Sequence, residues 1–276
     1  MEAADWSDFV AKEEVIVVTR FSFFGKSGWK SDFSRDPDAL FNEPRLRFRL
    51  ELLSAFPLAS LAAQTDQNFH LFILTANALP RWALKDLRKR CLAALPPDKF
   101  SICQRAQGVA AVYLRRFLEA RADAKGSASG RCIHMPLDDD DGLAVDFIQD
   151  MRTRLAALTP PGPNDYHFLS FSKGYALDII DFSQARLRMY KHNYPFINLG
   201  LTMCSPVAKQ NILSVSHRKF PKKHEHKLIG FGNMMYLRCV HGANDSRVEV
   251  RSAWKEIEKW RSNKDIKLRF DFLEGV

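Results

Sequence analysis

Four consecutive aspartates, Asp138, Asp139, Asp140 and Asp141, are the residues of this sequence best suited to chemistry. Like charges about 4 Å apart repel each other by roughly 1 kcal/mol in water, and by roughly 4 kcal/mol where the effective dielectric constant is near 20. A divalent cation removes this repulsion, and Mg²⁺ in proteins typically takes one or two carboxylates together with substrate phosphates. We therefore expect the run to bind Mg²⁺ or Mn²⁺ and, through the cation, a diphosphate.

The aspartate run could instead cap a helix or hold calcium. Aspartate is a favoured N-cap residue, and acids in the first turn of a helix complement its dipole by about 0.3–1 kcal/mol each. Capping accounts for one or two carboxylates but not for four. A structural calcium site is the second alternative.

Strands and helices that alternate along the chain must position these aspartates. Buried strands are predicted at residues 14–19, 69–74, 100–103 and 131–137, with Pro136 at a strand end or sheet edge. Helices are predicted from Pro44 to Leu53, over residues 58–64, 80–91 and 109–122, and directly after the aspartates, with Leu143, Phe147, Met151, Leu155 and Leu158 on one face. This alternation predicts an α/β fold with a Rossmann-like, mostly parallel sheet that has helices on both faces. Such sheets bind ligands at the carboxyl ends of their strands, where the aspartates lie.

A proline-rich segment, residues 159–163, divides the chain into two halves. The second half reads as short strands at residues 166–173, 175–181 and 185–191, with a turn at 181–184. We interpret residues 1–276 as one domain, with a ligand-binding half at 14–158 and a mixed second half at 164–276.

The composition indicates a globular protein with a phosphate-bearing partner. The 276 residues are 46% hydrophobic and carry a formal charge of +9. The sequence contains no apolar run of the roughly 18–20 residues that a membrane-spanning helix needs, and it does not begin like a secretory signal. The five cysteines are scattered and form no Cys-x-x-Cys pair, which indicates reduced thiols. We therefore expect a cytoplasmic protein.

Residues 217–227 form a strongly basic stretch. Three interpretations are open: a solvated loop, a lid that neutralises a leaving diphosphate, or a surface that docks on anionic lipid. The third would place the protein at the inner face of the membrane and would suit a lipid-linked acceptor.

Several segments resemble known glycosyltransferases. Residues 61–73, LAAQTDQNFHLFI, resemble the helix-to-strand passage of the GT-A glycosyltransferases, and residues 137–141 resemble their aspartate-x-aspartate motif. More closely, the chain resembles the bacterial putative rhamnosyltransferase family over roughly residues 14–247. The matching pieces are residues 19–22, Arg45 with Arg49, Gln64 with Thr65, 138–141 with 146–148, 174–175, and His241 with Asn244 and Ser246.

The resemblance implies a GT-A-like fold and a metal-dependent transfer of a sugar from a nucleotide-sugar donor to a hydroxyl group of a glycan, lipid or protein. By position, it implies that Asp138 and Asp140 bridge the metal and the donor, and that Asp141 also contacts the metal. We include Asp139 in the predicted nucleotide-sugar site because it lies within the run.

The same resemblance implies three further site residues. Thr19 and Arg20 match the region that receives the nucleotide base, with ordinary strand-end polarity as the alternative. His241 matches a late metal ligand, with a structural turn histidine as the alternative. Residues 74–77 depart from the family pattern because they lack the acidic pair that often grips the nucleotide.

An inverting transfer also needs a general base. Asp178, Asp181 and Asp245 are candidates, and the sequence does not rank them. Residues 198–201 are a candidate for the acceptor side, with a turn as the alternative.

Two further functions stay open as alternatives. A sugar nucleotidyltransferase would share the metal and the sheet, but it usually has a glycine-rich basic loop after the first strand, where this chain has Phe21, Phe23 and Phe24. A basic nucleic-acid-binding protein fits the charge, but no helix-turn-helix, zinc-finger or RNA-recognition signature is present. We therefore expect no nucleic acid partner.

Overall fold

The computed structural model describes residues 2–26, 36–126, 130–217, 219–244 and 249–276. Within these ranges the chain folds into two mixed β-sheets with helices on both sides. The strands are β1 Val15–Phe21, β2 Phe69–Ala76, β3 Phe100–Arg105, β4 Arg131–Pro136, β5 Gly142–Leu143, β6 His167–Phe171, β7 Lys173–Asp181, β8 Arg186–Asn193, β9 Thr202–Pro206, β10 His226–Ile229, β11 Tyr236–Val240 and β12 Lys255–Glu256.

The α-helices alternate with the first strands and return at the end of the chain. They are α1 Ala3–Lys12, α2 Pro37–Leu40, α3 Glu43–Leu53, α4 Ala59–Ala62, α5 Arg81–Ala94, α6 Ala110–Lys125, α7 Phe147–Ala156 and α8 Lys264–Arg269. A π-helical turn, Ser54–Leu58, joins α3 to α4 around Pro57, which has no N–H for a helical hydrogen bond. Short 3₁₀ turns occur at Pro97–Lys99, Phe220–Lys222, Trp260–Ser262 and Asp271–Gly275.

The larger sheet has the strand order β10-β6-β9-β4-β1-β2-β3. Strands β4, β1, β2 and β3 are mutually parallel, β9 runs antiparallel to β4 and β6, and β10 is parallel to β6. The chain builds outward from β1 through β2 to β3 and then returns to place β4 on the other side of β1. The strand order therefore reverses between β1 and β4, and open α/β sheets bind ligands at such a point.

The buried strands explain why helices cover both faces of this sheet. Successive side chains of a strand point to opposite faces. Val15 and Val17 pack with residues of α1, α3, α5 and α7, whereas Ile16 and Val18 pack with residues of α6. The predicted strands at 14–19, 69–74, 100–103 and 131–137, the predicted helices before β4 and the placement of helices on both faces are confirmed. The sheet predicted to be mostly parallel is mixed, because β9 runs antiparallel to both of its neighbours.

The smaller sheet has the order β12-β8-β7-β11-β5. One face, which includes Leu177, Met189 and Leu237, packs against Trp260 and Phe270 near the C-terminus. A β-carbon on Gly174 would lie 2.5 Å from the backbone oxygen of Tyr236, so only glycine allows β7 to approach β11 this closely.

The predicted helix with Phe147, Met151 and Leu155 on one face is confirmed as α7, but its predicted start directly after the aspartates is wrong. Gly142 and Leu143 form β5, which pairs antiparallel with β11, and α7 begins only at Phe147. The aspartates therefore do not cap a helix. The sequence prediction also missed α1, which Trp6 fastens to α7 by donating from Nε1 to the backbone oxygen of Leu155, at 3.2 Å.

In the described ranges, no helix combines the length and the apolar character needed to cross a bilayer. The five cysteines are free thiols, and four of them are buried. Strands β6, β9 and β10, which follow the proline-rich segment, complete the larger sheet, so both halves of the chain contribute to it.

Candidate functional site

The aspartate run occupies the carboxyl end of β4, beside the carboxyl end of β1. The Leu137 N–H donates to the backbone oxygen of Val18 at 3.0 Å, and Thr19 Oγ1 donates to the backbone oxygen of Leu137 at 2.8 Å. The N–H of Asp141 then donates to the backbone oxygen of Asp138 at 3.3 Å and closes a turn. The predicted strand-end position is confirmed, and Thr19 is fully buried and fixes the start of the turn.

Asp138 is the aspartate of the run that lies nearest the surface. Arg20 Nη2 lies 3.2 Å from Asp138 Oδ1, so the pair spans the point where the strand order reverses. The Asp138 side chain is 37% exposed, whereas the Arg20 side chain is 8% exposed. Asp138 is therefore the carboxylate of the run that solvent reaches most readily, because the other three are buried.

Arg49 binds the next two aspartates from α3. Its guanidinium donates to both carboxylate oxygens of Asp139, and its Nη1 lies 2.8 Å from Asp140 Oδ2. All three side chains are buried. Burial alone would raise the pKa of Asp140, but Arg49 and His241 outweigh it and hold this pKa well below its usual range. A protein cation thus neutralises the charge that we expected a metal to neutralise.

Arg45, one helical turn before Arg49, holds α3 in place. Its Nη1 donates to Ser22 Oγ at 3.2 Å and to the backbone oxygen of Leu40 at 3.0 Å. Because residues four apart lie on one face of a helix, Arg45 binds the loop after β1 while Arg49 binds the aspartates. The sequence interpretation treated these arginines only as family markers, although their spacing signalled a shared face.

His241 and Asn244 complete the environment of Asp140. His241 Nε2 and Asn244 Nδ2 each lie 2.9 Å from Asp140 Oδ2. The Ala243 N–H donates to His241 Nδ1 at 3.2 Å, so in the neutral ring the proton resides on Nε2 and is donated to Asp140. His241 is therefore brought to the run as expected, in the position of a hydrogen-bond donor. Its role as a metal ligand stays a prediction.

Asp141 fastens the run to the smaller sheet. Its Oδ1 accepts the N–H of Cys239 at 2.8 Å. Burial, followed by the charges of Asp140 and Asp138, raises the pKa of Asp141 well above its usual value.

The described side chains do not converge as a metal cage. No group of three histidine, cysteine, aspartate or glutamate side chains is arranged to hold an ion in the parts of the chain that the structure covers. Three donors, from Arg49, His241 and Asn244, already converge on Asp140 Oδ2. The donor set fits a cation that takes Asp138 and substrate phosphates better than one enclosed by Asp138, Asp140 and His241.

Gln64 and Thr65 bind the chain that follows the aspartate run. It is buried, its Nε2 donates to the backbone oxygen of Ala144 at 2.8 Å, and its Oε1 accepts the N–H of Ile148 at 3.1 Å. The Thr65 N–H donates to the backbone oxygen of Val145 at 2.8 Å. These bonds position the chain that leaves the aspartate run.

The candidates for a general base differ in their surroundings. Asp181 accepts hydrogen bonds from Ser183 and Arg186, which lower its pKa. Asp178 lies on β7, and burial raises its pKa although Arg188 opposes the rise. Asp245 lies outside the described residues, as does Ser246 of the family pattern.

The basic stretch adjoins β10, three strands away from β4 in the larger sheet. Its described residues, 217 and 219–227, lead into the amino end of β10, where His226 is level with His134 of β4 through the registers of β6 and β9. Strands β10 and β4 point the same way, with β6 and β9 between them, so they are about 14 Å apart at a strand spacing of about 4.8 Å. Arg218 lies outside the described residues.

Comparison with known proteins identifies a family. The family model described as "Putative rhamnosyl transferase" matches residues 14–252, and this description implies a glycosyltransferase with a nucleotide-sugar donor and a glycan acceptor. The search of curated proteins returned no match. The matched range contains β1 and β4, the aspartate run and His241, and it covers most of the 276 residues. The chain therefore belongs to the putative rhamnosyl transferase family.

Proposed function

We propose that the protein transfers a sugar, rhamnose by family membership, from a nucleotide-sugar to a hydroxyl group of an acceptor. The observation that carries this proposal is the Arg20–Asp138 pair, which places a guanidinium and an exposed carboxylate where the strand order reverses. The strand order of the larger sheet, with the reversed β9, also supports a GT-A fold.

The chain supplies two kinds of group for the donor. Arg20 presents N–H donors that suit phosphate oxygens, and Thr19 holds the turn beside it. Asp138 would hold Mn²⁺ or Mg²⁺ together with those phosphates. Such a cation would neutralise charge on the departing nucleotide.

Arg49, His241 and Asn244 act through the run. They bind Asp139 and Asp140 so that the backbone of the turn keeps one conformation, and Asp138 stays exposed beside Arg20. Preorganised groups of this kind stabilise a transition state without reorganising during the reaction.

The loop after β1 favours sugar transfer over nucleotidyl transfer. Phe21, at the end of β1, and Phe23, in the loop that follows, are fully buried, so these residues pack in the core and offer no cradle for a triphosphate.

Donor binding tests the proposal. A panel of nucleotide-sugars would be titrated calorimetrically with and without Mn²⁺ against wild type and Asp138→Asn. We expect saturable binding of a rhamnose donor that Mn²⁺ strengthens, and a loss of about tenfold or more in the variant, since a charged hydrogen bond contributes about 1.5–3 kcal/mol.

Asp150→Asn is the matched control. Asp150 lies 3.1 Å from Arg154 and its side chain is 29% exposed, so it resembles Asp138 in partner and exposure but lies on α7. It should bind the donor like wild type. Donor binding that Asp138→Asn leaves unchanged would sink the assignment of the site.

A further inference from the structure

Helix α5 presents a basic face to solvent. Four cations and one leucine share its exposed side: Arg81, Lys85, Arg88, Lys89 and Leu92. We call this set the basic face. Its members are linked by spacings of three or four residues, which make them neighbours on one side of a helix. The opposite side of α5 packs into the core through Ala83, Leu87 and Cys91.

The cations of the basic face are not used to hold the fold together. Within the described residues, none of the four forms an ion pair. The helix contains one acid, Asp86, and Arg90 binds it at 3.0 Å. Like charges three or four residues apart destabilise a helix. The basic face therefore works against the stability of α5, and packing within the chain does not account for its composition.

The basic face is long and its charges are fixed in place. Arg81 and Leu92 are separated by about 16 Å along the axis, at a rise of about 1.5 Å per residue. The cations project from a helix whose other side is held by the core. This row of like charges is complementary to an extended anionic surface, because a single small anion would cover only part of it.

Leu92 favours lipid over nucleic acid as that surface. Its side chain is 50% exposed, on the same side of the helix as the cations. An apolar side chain gains free energy when it enters the boundary between headgroups and acyl chains, and a nucleic acid backbone offers no such gain. The helix also contains no serine, threonine, asparagine or glutamine, the uncharged residues that read base edges.

The basic face begins at the edge of the sheet that holds the proposed donor site. Arg81 is the first residue of α5, which follows the carboxyl end of β2. Strand β2 is the parallel neighbour of β1, and Arg20 lies near the carboxyl end of β1. A bilayer bound to α5 would therefore reach the same edge of the sheet as the proposed donor site.

We propose that the basic face docks the protein on an anionic lipid bilayer. The lysine and arginine side chains contact the negatively charged headgroups, and Leu92 enters the boundary below them. Docking of this kind is peripheral, and it weakens as the ionic strength rises. The proposal rests on α5 alone and does not depend on sugar transfer.

Vesicle co-sedimentation of the full chain tests this surface. The vesicles contain equimolar phosphatidylcholine and phosphatidylserine, and vesicles of phosphatidylcholine alone are the neutral comparison. Wild type is compared with a variant that carries Lys85→Gln, Arg88→Gln and Lys89→Gln, because glutamine keeps a high helix propensity and thermal melts should show an intact fold. Each cation near an anionic surface strengthens binding by about fivefold, so this variant should bind the anionic vesicles about 100-fold more weakly.

The matched control removes the same charge from another part of the molecule. Lys219, Lys222 and Lys223 are exposed and precede β10, at the end of the larger sheet opposite to β3, whereas α5 joins β2 to β3. Replacement of these three lysines with glutamine should leave binding to the anionic vesicles as in wild type. Equal losses in the two triple variants, or a loss in the control alone, would overturn the inference.

Two further outcomes separate this proposal from its rivals. Equal binding of wild type to neutral and anionic vesicles, or binding of DNA or RNA through α5 without vesicle binding, would also rule out lipid docking. Donor affinity, measured calorimetrically, should be unchanged in the α5 variant. Vesicle binding in a protein that binds no nucleotide-sugar would remove the proposed function and keep the docking surface.

Discussion

At the scale of single residues, Arg49 supplies the positive charge that allows Asp139 and Asp140 to be buried. Its guanidinium contacts Asp139 and Asp140, and the side chains of all three residues are at most 6% exposed. Removing one partner of a buried ion pair lowers the free energy of unfolding by about 3–5 kcal/mol, because the other charge is left buried and uncompensated. The stability of the site therefore depends on a residue that need not touch the substrate.

Arg49→Met should consequently destabilise the protein by about 3–5 kcal/mol, measured by urea denaturation at neutral pH. Arg49→Lys should recover only part of the loss, because an ammonium group lacks the planar fork that binds Asp139 at two points.

Arg47→Met provides the control for this prediction. Arg47 lies on the same helix and pairs with Glu43, but its side chain is 62% exposed, so its loss should cost less than about 1 kcal/mol. Equal losses in Arg47→Met and Arg49→Met would contradict the role given to Arg49.

At the scale of elements, α6 is fastened to the start of β1 by Glu14. Arg121 donates to both carboxylate oxygens of Glu14, with Nη2 2.9 Å from Oε1, and Lys125 Nζ lies 3.0 Å from Oε2. Burial opposes ionisation, but the two cations prevail and lower the pKa of Glu14 from 4.5 to about 2. A lowered pKa in the folded state means that the ionised carboxylate stabilises the fold above pH 4.5, and that this stabilisation is lost as the pH falls towards 2.

Glu14→Gln should therefore lower the free energy of unfolding at pH 7 by about 1–3 kcal/mol. The difference from wild type should shrink as the pH falls below about 4.5 and should be absent near pH 2. Denaturation curves across this range measure it. Glu119→Gln, which removes an exposed acid from the same helix, should show a small difference at every pH. A Glu14→Gln difference that does not change with pH would contradict the ion-pair mechanism.

The strands differ in how well the sequence predicts them. Buried β-branched and aromatic runs predicted β1 and β2, because a strand covered on both faces leaves a local apolar signal. Leu143, in contrast, lies four residues before Phe147 and fits a helical pattern, yet it pairs with β11, which begins more than ninety residues later. No local pattern records that contact.

The sequence likewise predicted one part of the candidate site and not another. The position of the aspartates followed from one strand and its end. Their neutralisation by Arg49 did not, because the interacting residues are ninety positions apart and meet only after α3 packs beside β4. The sequence predicted repulsion among the carboxylates. In the structure, the Arg49 side chain relieves the repulsion at Asp139 and Asp140.

At the scale of the whole molecule, the most basic stretch of the sequence is not part of the proposed donor site. Lys219, Lys222 and Lys223 are exposed and precede β10, which lies three strands, or about 14 Å, from β4 in the larger sheet. A Debye length of about 8 Å at physiological ionic strength screens exposed charges at that distance.

Replacing these three lysines with glutamine should therefore change the affinity for the nucleotide-sugar by less than about twofold at physiological ionic strength. Calorimetry with the donor used for Asp138→Asn measures this. Arg20→Gln is the contrasting variant and should weaken binding by about tenfold or more. Strong weakening by the lysine variant would revive the idea of a lid.

The aspartate run is also the chain that passes from one sheet to the other, since β4 belongs to the larger sheet and β5 to the smaller. Asp138 pairs with Arg20 of the larger sheet, whereas Asp141 binds Cys239 of the smaller sheet. The residues between these strands, 137–141, therefore tie the proposed donor site to the smaller sheet over a fixed length. A longer insert at this point would leave both sheets folded and yet free Asp138 to move away from Arg20.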